Sequence, residues 1–470
     1  MRIFGMNDFL ILMKSELAIT LIIFLLLFIK IGKGMKNETL LSIVQVLLLL
    51  NFIAGFFFIQ EGTAFDGMFH TNPLIGFQKN ILNLGTYLIS LLCAGWLKKS
   101  AHMAEFFMLM LSALLGMFFM ISSGNLLMFY LSLELASIPV AALANFDLDK
   151  KIASEAAMKM ILSSAFSSGL LLFGISLVYG ATGTLSFAEL PHQLNGSPLL
   201  LLSLVLLFTG FAFKLSVVPF HLWTADVYEG SPIAVTAFLS VMSKGAIAFI
   251  FISALYNVFQ PLHETWYKML VILAIVTMLI GNLFAIRQQN IKRFLAFSSI
   301  AQVGFILVGM SSDSNAGIAS VVYFILIYLF SNLAAFGVAS AISSGTGKEN
   351  IDDYKGMHKT NPFLSWVLAL ALFSLGGIPP TAGFFGKLFL LSAGAMRGNY
   401  WFIAIAALNM IISLYYYLRI VKTMFMDKND HPIEKVKIDP VTVFALIICA
   451  AGIVVIGLLS RIYDYIQSLS

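Results

Sequence analysis

Apolar segments of about 20 residues follow one another along nearly the whole chain, from near residue 16 to near residue 460. A helix of that length spans the hydrocarbon layer of a membrane. Because lipid offers no partners for backbone N–H and C=O groups, each crossing must be helical. Only 11% of the residues are charged and 60% are hydrophobic, which excludes an ordinary soluble domain. We therefore expect an all-α polytopic membrane protein, with a single integral membrane domain over residues 1–470.

The loops between these segments indicate the direction of the chain. Hydropathy divides the chain into about fourteen crossings. Alternate loops are rich in lysine and arginine, as at Lys98, Lys150 and Arg293. The loops between them carry few basic residues, among them Lys79, which precedes an apolar segment near 80–97. Basic loops stay on the cytoplasmic side, so the pattern predicts that both termini lie outside.

Two apolar segments are interrupted by proline or glycine near their middle, and both carry a lysine. They are AFKLSVVPFH (Ala212–His221), within an apolar run near 198–221, and SLGGIPPTAGFFGKL (Ser374–Leu388), within a run near 363–394. Broken helices at corresponding positions are typical of inverted repeats with an ion site at mid-membrane depth. The sequence thus predicts two inverted five-helix repeats, near 104–257 and 268–425, flanked by helices within 16–97 and 440–460.

Titratable side chains inside apolar segments are the candidate functional residues. A lysine at the centre of a membrane helix costs roughly 2.5–3.5 kcal/mol on insertion scales, which calls for a functional explanation. Glu134 and Lys214 carry opposite charges that would keep each other ionised. His221 follows the break at Pro219 and is a suitable proton relay. The full set is Glu134, Lys159, Lys214, His221, Lys244 and Lys387.

Each of these residues also has a structural explanation. Glu134 could extend to the membrane surface, and with Lys214 it could form a static pair that only joins two helices. Lys159 follows Glu155 by four residues, the spacing of a pair on a helix surface. His221 could simply hydrogen-bond to unpaired polar groups at a helix end. We favour a proton pathway because Lys214, Lys244 and Lys387 lie too deep to reach the surface.

Other classes of function lack support in the sequence. Cys93 and Cys449 both sit in apolar helices without the spacing of a disulfide or metal site. No phosphate-binding loop, dinucleotide fingerprint or iron–sulfur cysteine cluster is present. No basic patch indicates nucleic-acid binding. We therefore expect no cofactor and no metal in this chain, and an energy source outside it.

Three stretches together resemble one family. They are NLLMFYLSLELASIP (Asn125–Pro139), FKLSVVPFHLWTADVYEGSP (Phe213–Pro232) and GGIPPTAGFFGKL (Gly376–Leu388). These stretches are similar to the antiporter-like membrane subunits of proton-pumping NADH:quinone oxidoreductase, respiratory complex I. The DVYEGSP ending is most similar to subunit N rather than to subunits L or M. Ala225 departs from the proline that is usual in the family, and no glutamate in the second repeat matches Glu134.

The resemblance implies a fold and a set of roles. It implies fourteen helices with two inverted five-helix repeats, and proton transfer coupled to quinone reduction elsewhere in the complex. Glu134 and Lys214 would be an ion pair, Lys159 and His221 would continue the path, Lys244 would be the central lysine and Lys387 the exit-side lysine. NADH, FMN, iron–sulfur clusters and quinone would be bound by partner subunits, in a bacterial cell inner membrane. The alternatives are a subunit of a multi-subunit cation/proton antiporter and a structural membrane spacer.

Overall fold

Helices make up nearly all of the secondary structure in the computed structural model, which describes residues 10–32, 34–57, 60–430, 432–459 and 461–470. The longer helices are α1 Lys14–Ile31, α2 Asn37–Ala54, α3 Pro73–Leu92, α4 Met103–Ile121, α5 Leu126–Ala144, α6 Lys151–Thr182, α7 Pro198–Leu215, α8 Leu222–Gly230, α9 Ile233–Val258, α10 His263–Arg287, α11 Ile291–Met310, α12 Asn315–Thr346, α13 Pro362–Gly376, α14 Ala382–Ala395, α15 Tyr400–Phe425, α16 Pro440–Leu458 and α17 Arg461–Leu469. Single turns at Ala94–Leu97, Leu190–Gln193, Gln260–Leu262, Ile351–Tyr354 and Met357–Lys359 connect them.

Eleven helices in the described part of the chain are long and apolar enough to cross a membrane. Of the remaining apolar segments predicted from the sequence, α13 and α14 are each too short to cross alone, α1 carries the three charged residues Lys14, Glu16 and Lys30, and the first half of α3 is polar. The helices α9, α11 and α12 are almost wholly enclosed by the rest of the bundle. These three central helices therefore present their side chains to protein on all sides.

A small β-hairpin departs from the expected all-helical fold. Its strands, β1 Gly62–Ala64 and β2 Phe69–Thr71, pair antiparallel. The hairpin joins α2 to α3, and its fully buried Phe69 packs with Leu12 and Met13, just before α1. The hairpin and these helix ends therefore lie on one face of the bundle, which we call the hairpin face.

The third helix begins earlier than the sequence predicted. It starts at Pro73 rather than near residue 80, because the Asn72 side chain accepts the N–H of Ile75 at 2.8 Å and caps it. Buried polar residues in its first turns, including Asn80, hid this start from a hydropathy pattern. Lys79, expected in a loop, is consequently inside the helix and buried.

Two parts of the chain share an unusual local structure. Asn125 caps the start of α5 and pairs with Ser186 in a β-bridge, while Asn290 caps α11 and pairs with Asn350 in the same way. Each capped helix is followed by a 32-residue helix, α6 or α12, which ends at a glycine of positive φ.

The first broken helix ends at Leu215, a few residues before the proline. Ser216 takes a left-handed conformation with φ 64°, and the N–H of Val217 donates to the carbonyl of Ala212 at 2.8 Å. This left-handed C-cap satisfies carbonyls at the end of α7. The chain turns through a cis Val218–Pro219 bond before α8 begins.

The second broken helix has the same cap. Gly377 is left-handed with φ 82°, and the N–H of Ile378 donates to the carbonyl of Phe373 at 3.0 Å. A cis Pro379–Pro380 bond follows. The apolar run predicted near 363–394 is therefore two helices, α13 and α14, and the mid-segment breaks expected from the sequence are present in both halves.

Candidate functional site

Lys214 lies in the last turn of α7, directly before the first break, and only 8% of it is exposed. Its Nζ donates to Ser137 Oγ of α5 and to Ser164 Oγ of α6, both at 2.7 Å. The ammonium is therefore held by two neutral hydroxyls, each supplied by a different neighbouring helix.

Glu134 does not form the direct ion pair with Lys214 that we expected. It is half-buried on α5, and Lys214 has no carboxylate within ion-pair distance among the described residues. The buried Glu134 Oε1 accepts no hydrogen bond from the described part of the chain. One turn of helix separates Glu134 from Ser137, so the hydroxyl of Ser137 takes the place that the carboxylate was expected to fill.

His221 immediately precedes α8 and is 8% exposed. Its Nδ1 is buried without a hydrogen-bond partner among the described residues, and the same holds for Thr224 Oγ1, Tyr228 OH and Ser231 Oγ. The spacing of these residues places them along one face of the short helix. Sequence analysis identified His221 but missed the other three, whose helical spacing was the available signal.

Lys244 follows directly after a π-helical turn, Leu239–Ser243, within α9. Such turns are frequent at functional sites. The side chain is 3% exposed, and Nζ donates to Ser299 Oγ of α11 at 2.5 Å. The ammonium also lies 5.7 Å from the ring centroid of Tyr228. Lys244 is thus at the meeting point of α8, α9 and α11.

Lys387 projects from α14 towards the end of α13 and is 1% exposed. Its Nζ donates to the carbonyls of Leu375, at 2.7 Å, and Gly376, at 3.4 Å. The last carbonyls of a helix have no partner within it, and they carry the negative end of the helix dipole. The second break therefore creates the acceptors for this lysine.

A chain of hydrogen bonds connects the surroundings of Lys244 and Lys387. Ser298, next to the Ser299 that binds Lys244, shares a 2.5 Å contact with Tyr417 OH. Gln302 Nε2 donates to the same tyrosine oxygen, at 2.9 Å, and to the Leu375 carbonyl, at 3.0 Å. Sequence analysis missed these residues, although Ser298, Ser299 and Gln302 mark one polar face in an enclosed helix.

Lys159 is the candidate that the structure separates from the others. We expected it deeper in the membrane than Glu155, but its side chain is 43% exposed and pairs with Glu155 at 2.8 Å and Asp226 at 2.6 Å. Asp226 and Glu229, both on α8, also bind Arg293 Nη1, at 2.8 and 2.7 Å. The expected burial of Lys159 is therefore wrong, because Glu155 of α6 and Asp226 of α8 hold it at the bundle surface.

Comparisons with known proteins agree with this arrangement. The family model described as NADH:quinone oxidoreductase/Mrp antiporter, TM, matches residues 123–413. The NADH-quinone oxidoreductase subunit N of Phocaeicola vulgatus is 46% identical over 460 residues, which cover 97% of this chain and 97% of that protein.

Solved structures show the same architecture. A chain of respiratory complex I from Thermus thermophilus, with bound aureothin, aligns with a TM-score of 0.81 and 28% identity, covering 95% of this chain and 97% of that one. A chain of the Mrp complex from a Dietzia species has a TM-score of 0.87 at 19% identity, covering 98% and 96%, and so is similar in fold. From the matched family model and the identity to curated relatives, the chain belongs to the subunit N family of NADH:quinone oxidoreductase, within the wider group of antiporter-like membrane subunits.

Proposed function

We propose that this chain moves protons across the membrane as a membrane-arm subunit of NADH:quinone oxidoreductase. The observation that carries the proposal is a set of three enclosed lysines, Lys214, Lys244 and Lys387, whose hydrogen bonds go to neutral oxygens. An ammonium in an apolar interior needs hydrogen bonds and a countercharge. Among the described residues no carboxylate lies within ion-pair distance of these lysines. A change of charge nearby can therefore shift each lysine between its protonated and neutral forms.

The path that we propose runs through both halves of the bundle. In this path Glu134 acts on Lys214 without direct contact, and His221 passes protons from Lys214 towards Lys244. The hydrogen-bonded side chains of α11 and α15 continue from Lys244 to Lys387. Lys159 belongs to this function through α8, because it binds the helix that carries His221 rather than standing in the buried line.

We infer that about fourteen segments cross the membrane, with α7 and α8 as one crossing and α13 and α14 as another. The matched asparagine caps, long helices and left-handed C-caps support two inverted five-helix repeats. If successive segments cross the membrane in alternating directions, the capping residues Asn125 and Asn290 lie on opposite membrane faces, as inverted repeats require. The basic loops favour both termini outside, in a bacterial cell inner membrane.

The energy source and the redox groups belong to partner subunits under this proposal. The relatives are named as parts of NADH-quinone oxidoreductase, whose name requires a site for NADH and a site for quinone. We assign these sites, with FMN and iron–sulfur clusters, to neighbouring subunits of complex I. The chain itself contributes the proton path, while lipid surrounds its outer helices.

Replacing the lysines one at a time tests the proposal in the assembled complex. We expect Lys214→Met, Lys244→Met and Lys387→Met each to reduce proton transport driven by NADH by about tenfold or more, since a positioned proton-transfer group contributes at least that much. Lys422→Met, at a side chain 63% exposed, is the matched control and should leave transport unchanged. The measurement is NADH-driven acidification in proteoliposomes, normalised to assembled complex.

The same experiment separates the alternatives. A structural spacer predicts that the three methionine variants alter assembly while the assembled fraction transports protons normally. A cation/proton antiporter predicts copurification with other antiporter subunits only, whereas our proposal predicts copurification with flavin and iron–sulfur subunits. Normal transport in assembled variants would overturn the proposal.

A further inference from the structure

A buried charge pair lies outside the line of lysines. Glu16 of α1 and Lys79 of α3 approach to 2.6 Å, with side chains 1% and 4% exposed. Both residues precede the segment that the family model matches, 123–413, and the proposed proton path uses neither. Two charges removed from water at this point need an explanation of their own.

Polar side chains continue from this pair along α3. Asn80 and Asn83 follow Lys79 at the spacing of a helix face and are nearly fully buried. Asn83 accepts from Asn51 Nδ2 at 3.3 Å and donates to the Leu48 carbonyl at 3.1 Å, both on α2. The pair therefore stands at the end of a polar stripe between α2 and α3.

Several buried atoms of this group have no protein partner. Glu16 Oε2 and Asn80 Nδ2 are fully buried and have no hydrogen-bond partner among the described residues. Buried polar atoms in proteins are nearly always hydrogen-bonded, and ordered water supplies the partner where protein does not.

A cavity adjoins the pair at the hairpin face. Lys79 itself lines it, together with Ser15, Gln60 and Asn72, and Gly76 forms part of its wall. These side chains offer the several polar partners that a bound water needs. The ring centroid of Phe69, in the hairpin, lies 4.9 Å from Lys79 Nζ.

We propose that the Glu16–Lys79 pair is a hydrated site, in which water enters from the hairpin face and reaches Asn80 and Asn83. The site is separate from the path through Lys214, Lys244 and Lys387. It places a titratable carboxylate in contact with water inside the amino-terminal helices. Its assignment to the outer side of the membrane rests on the orientation given under Proposed function.

Cysteine reactivity tests this site in the assembled complex. The two native thiols of this chain are first removed by Cys93→Ser and Cys449→Ser. A single new cysteine is then introduced by Asn80→Cys, Asn83→Cys or Asn51→Cys. Silver ion is the probe, added to one side of sealed vesicles at a time. The remaining thiol is measured by alkylation after denaturation. Because the thiolate reacts and forms only where water solvates it, the reaction rate reports hydration.

We expect the asparagine-derived cysteines to react at least about tenfold faster than Leu88→Cys, a fully buried control on the same helix, and from one side only. Reaction from the outer side supports both the site and the proposed orientation. Reaction from the inner side supports the site and overturns the orientation. Rates equal to that of Leu88→Cys in the variants that assemble overturn the site.

Neutralising the pair provides a second measurement. Glu16→Gln with Lys79→Met removes both charges without leaving one uncompensated. In the Asn83→Cys background we expect this change to slow the silver reaction several-fold, because the site loses the groups that bind its water. An unchanged rate would show that the charges do not hold the water and would overturn their assigned role. NADH oxidation by the same preparations verifies assembly.

Discussion

Lys214 shows how a single ammonium can be kept inside a membrane protein without a direct carboxylate. It donates two hydrogen bonds, to the hydroxyl oxygens of Ser137 on α5 and Ser164 on α6. Hydrogen bonds to a charged group contribute about 1.5–3 kcal/mol each. Two such bonds, about 3–6 kcal/mol together, are enough to offset the roughly 2.5–3.5 kcal/mol that a central lysine costs on insertion. The two serines therefore determine how easily Lys214 carries its proton.

Removing both hydroxyls should impair proton transfer at Lys214. We expect Ser137→Ala with Ser164→Ala to reduce NADH-driven proton transport several-fold and to shift its pH profile, because the ammonium loses both acceptors. The control is Ser203→Ala, a buried serine of α7 that bonds only to its own helix at Leu199. Acidification assays from pH 6 to 9 provide the measurement. An unchanged profile would contradict the role of the two serines.

Sequence analysis recognised the enclosed lysines because a charge inside a long apolar run stands out. It missed Ser299, Gln302 and Tyr417, since serine, glutamine and tyrosine are ordinary in helices and their partners lie far along the chain. It misplaced Lys159 because position along one helix says nothing about the acidic residues that another helix brings close. The buried pair of Glu16 and Lys79 was hidden for the same reason.

At the scale of elements, the two broken helices share the same left-handed C-cap but have different residues at the left-handed position. Ser216 occupies it after α7, whereas Gly377 occupies it after α13. A residue with a Cβ pays roughly 1–2 kcal/mol in this conformation, and glycine does not. The buried Ser216 Oγ also lacks a hydrogen-bond partner among the described residues. The first break is therefore the less favourable of the two.

Substitutions at these two positions should change the free energy of unfolding in opposite directions. We expect Ser216→Gly to stabilise the protein by a few tenths to about 1 kcal/mol, because backbone strain is removed. Gly377→Ala should destabilise it by about 1–2 kcal/mol, since its Cβ would also lie 3.2 Å from Lys387 Cδ. Gly169→Ala, in the open middle of α6, serves as a helix-interior control. Thermal unfolding in detergent tests this, and equal shifts for both variants would contradict it.

The start of α16 depends on an ion pair between Asp439 and Lys98. Asp439 caps the helix by accepting the N–H of Val441 at 2.9 Å and binds Lys98 Nζ at 2.6 Å. Partial burial by itself would raise the pKa of Asp439, but the bonds from Lys98 and Val441 outweigh it and hold that pKa below its ordinary value of 3.8. The carboxylate therefore joins α16 to the end of α3.

Acid should weaken this contact. Because the folded-state pKa of Asp439 is lowered, its stabilisation is complete above the ordinary value and is lost as pH falls below about 4. Asp439→Asn keeps a good N-cap but removes the charge, so we expect a loss of about 1 kcal/mol at pH 7 and none in strong acid. Thermal unfolding across pH measures the difference. Asp352→Asn, in an exposed pair with Lys355, is the control and should show little effect.

For the whole molecule, hydropathy and loop charge predicted the helical membrane fold and the two breaks, since both depend on local composition. They did not predict how the two proposed repeats contact each other. That junction is α8, which follows His221 and carries Tyr228 near Lys244. Lys159 binds α8 from the first proposed repeat, and Arg293 binds it from the start of α11 in the second. Such contacts between distant residues leave no periodic signal in a single sequence.

Arg293 should therefore be needed for coupling between the halves. Its Nη1 bridges Asp226 and Glu229, so Arg293→Gln releases the carboxyl-terminal end of α8 and allows Tyr228 to shift relative to Lys244. Partly exposed pairs contribute only about 0.2–1 kcal/mol each, and we expect the complex to assemble. Protons transported per NADH oxidised should fall about two- to fivefold, a change that follows from roughly 0.4–1 kcal/mol.

Two variants make this prediction specific to the contact rather than to surface charge. Arg293→Lys keeps a cation that can reach both carboxylates, so we expect it to restore most of the transport. Lys150→Gln removes a more exposed pair with Asp147 and should leave the ratio of protons to NADH unchanged. If Arg293→Gln assembled and kept the normal ratio, the halves would be coupled without α8. If Lys150→Gln lowered the ratio of protons to NADH as much as Arg293→Gln does, the result would instead indicate a general dependence on the charge of the loops.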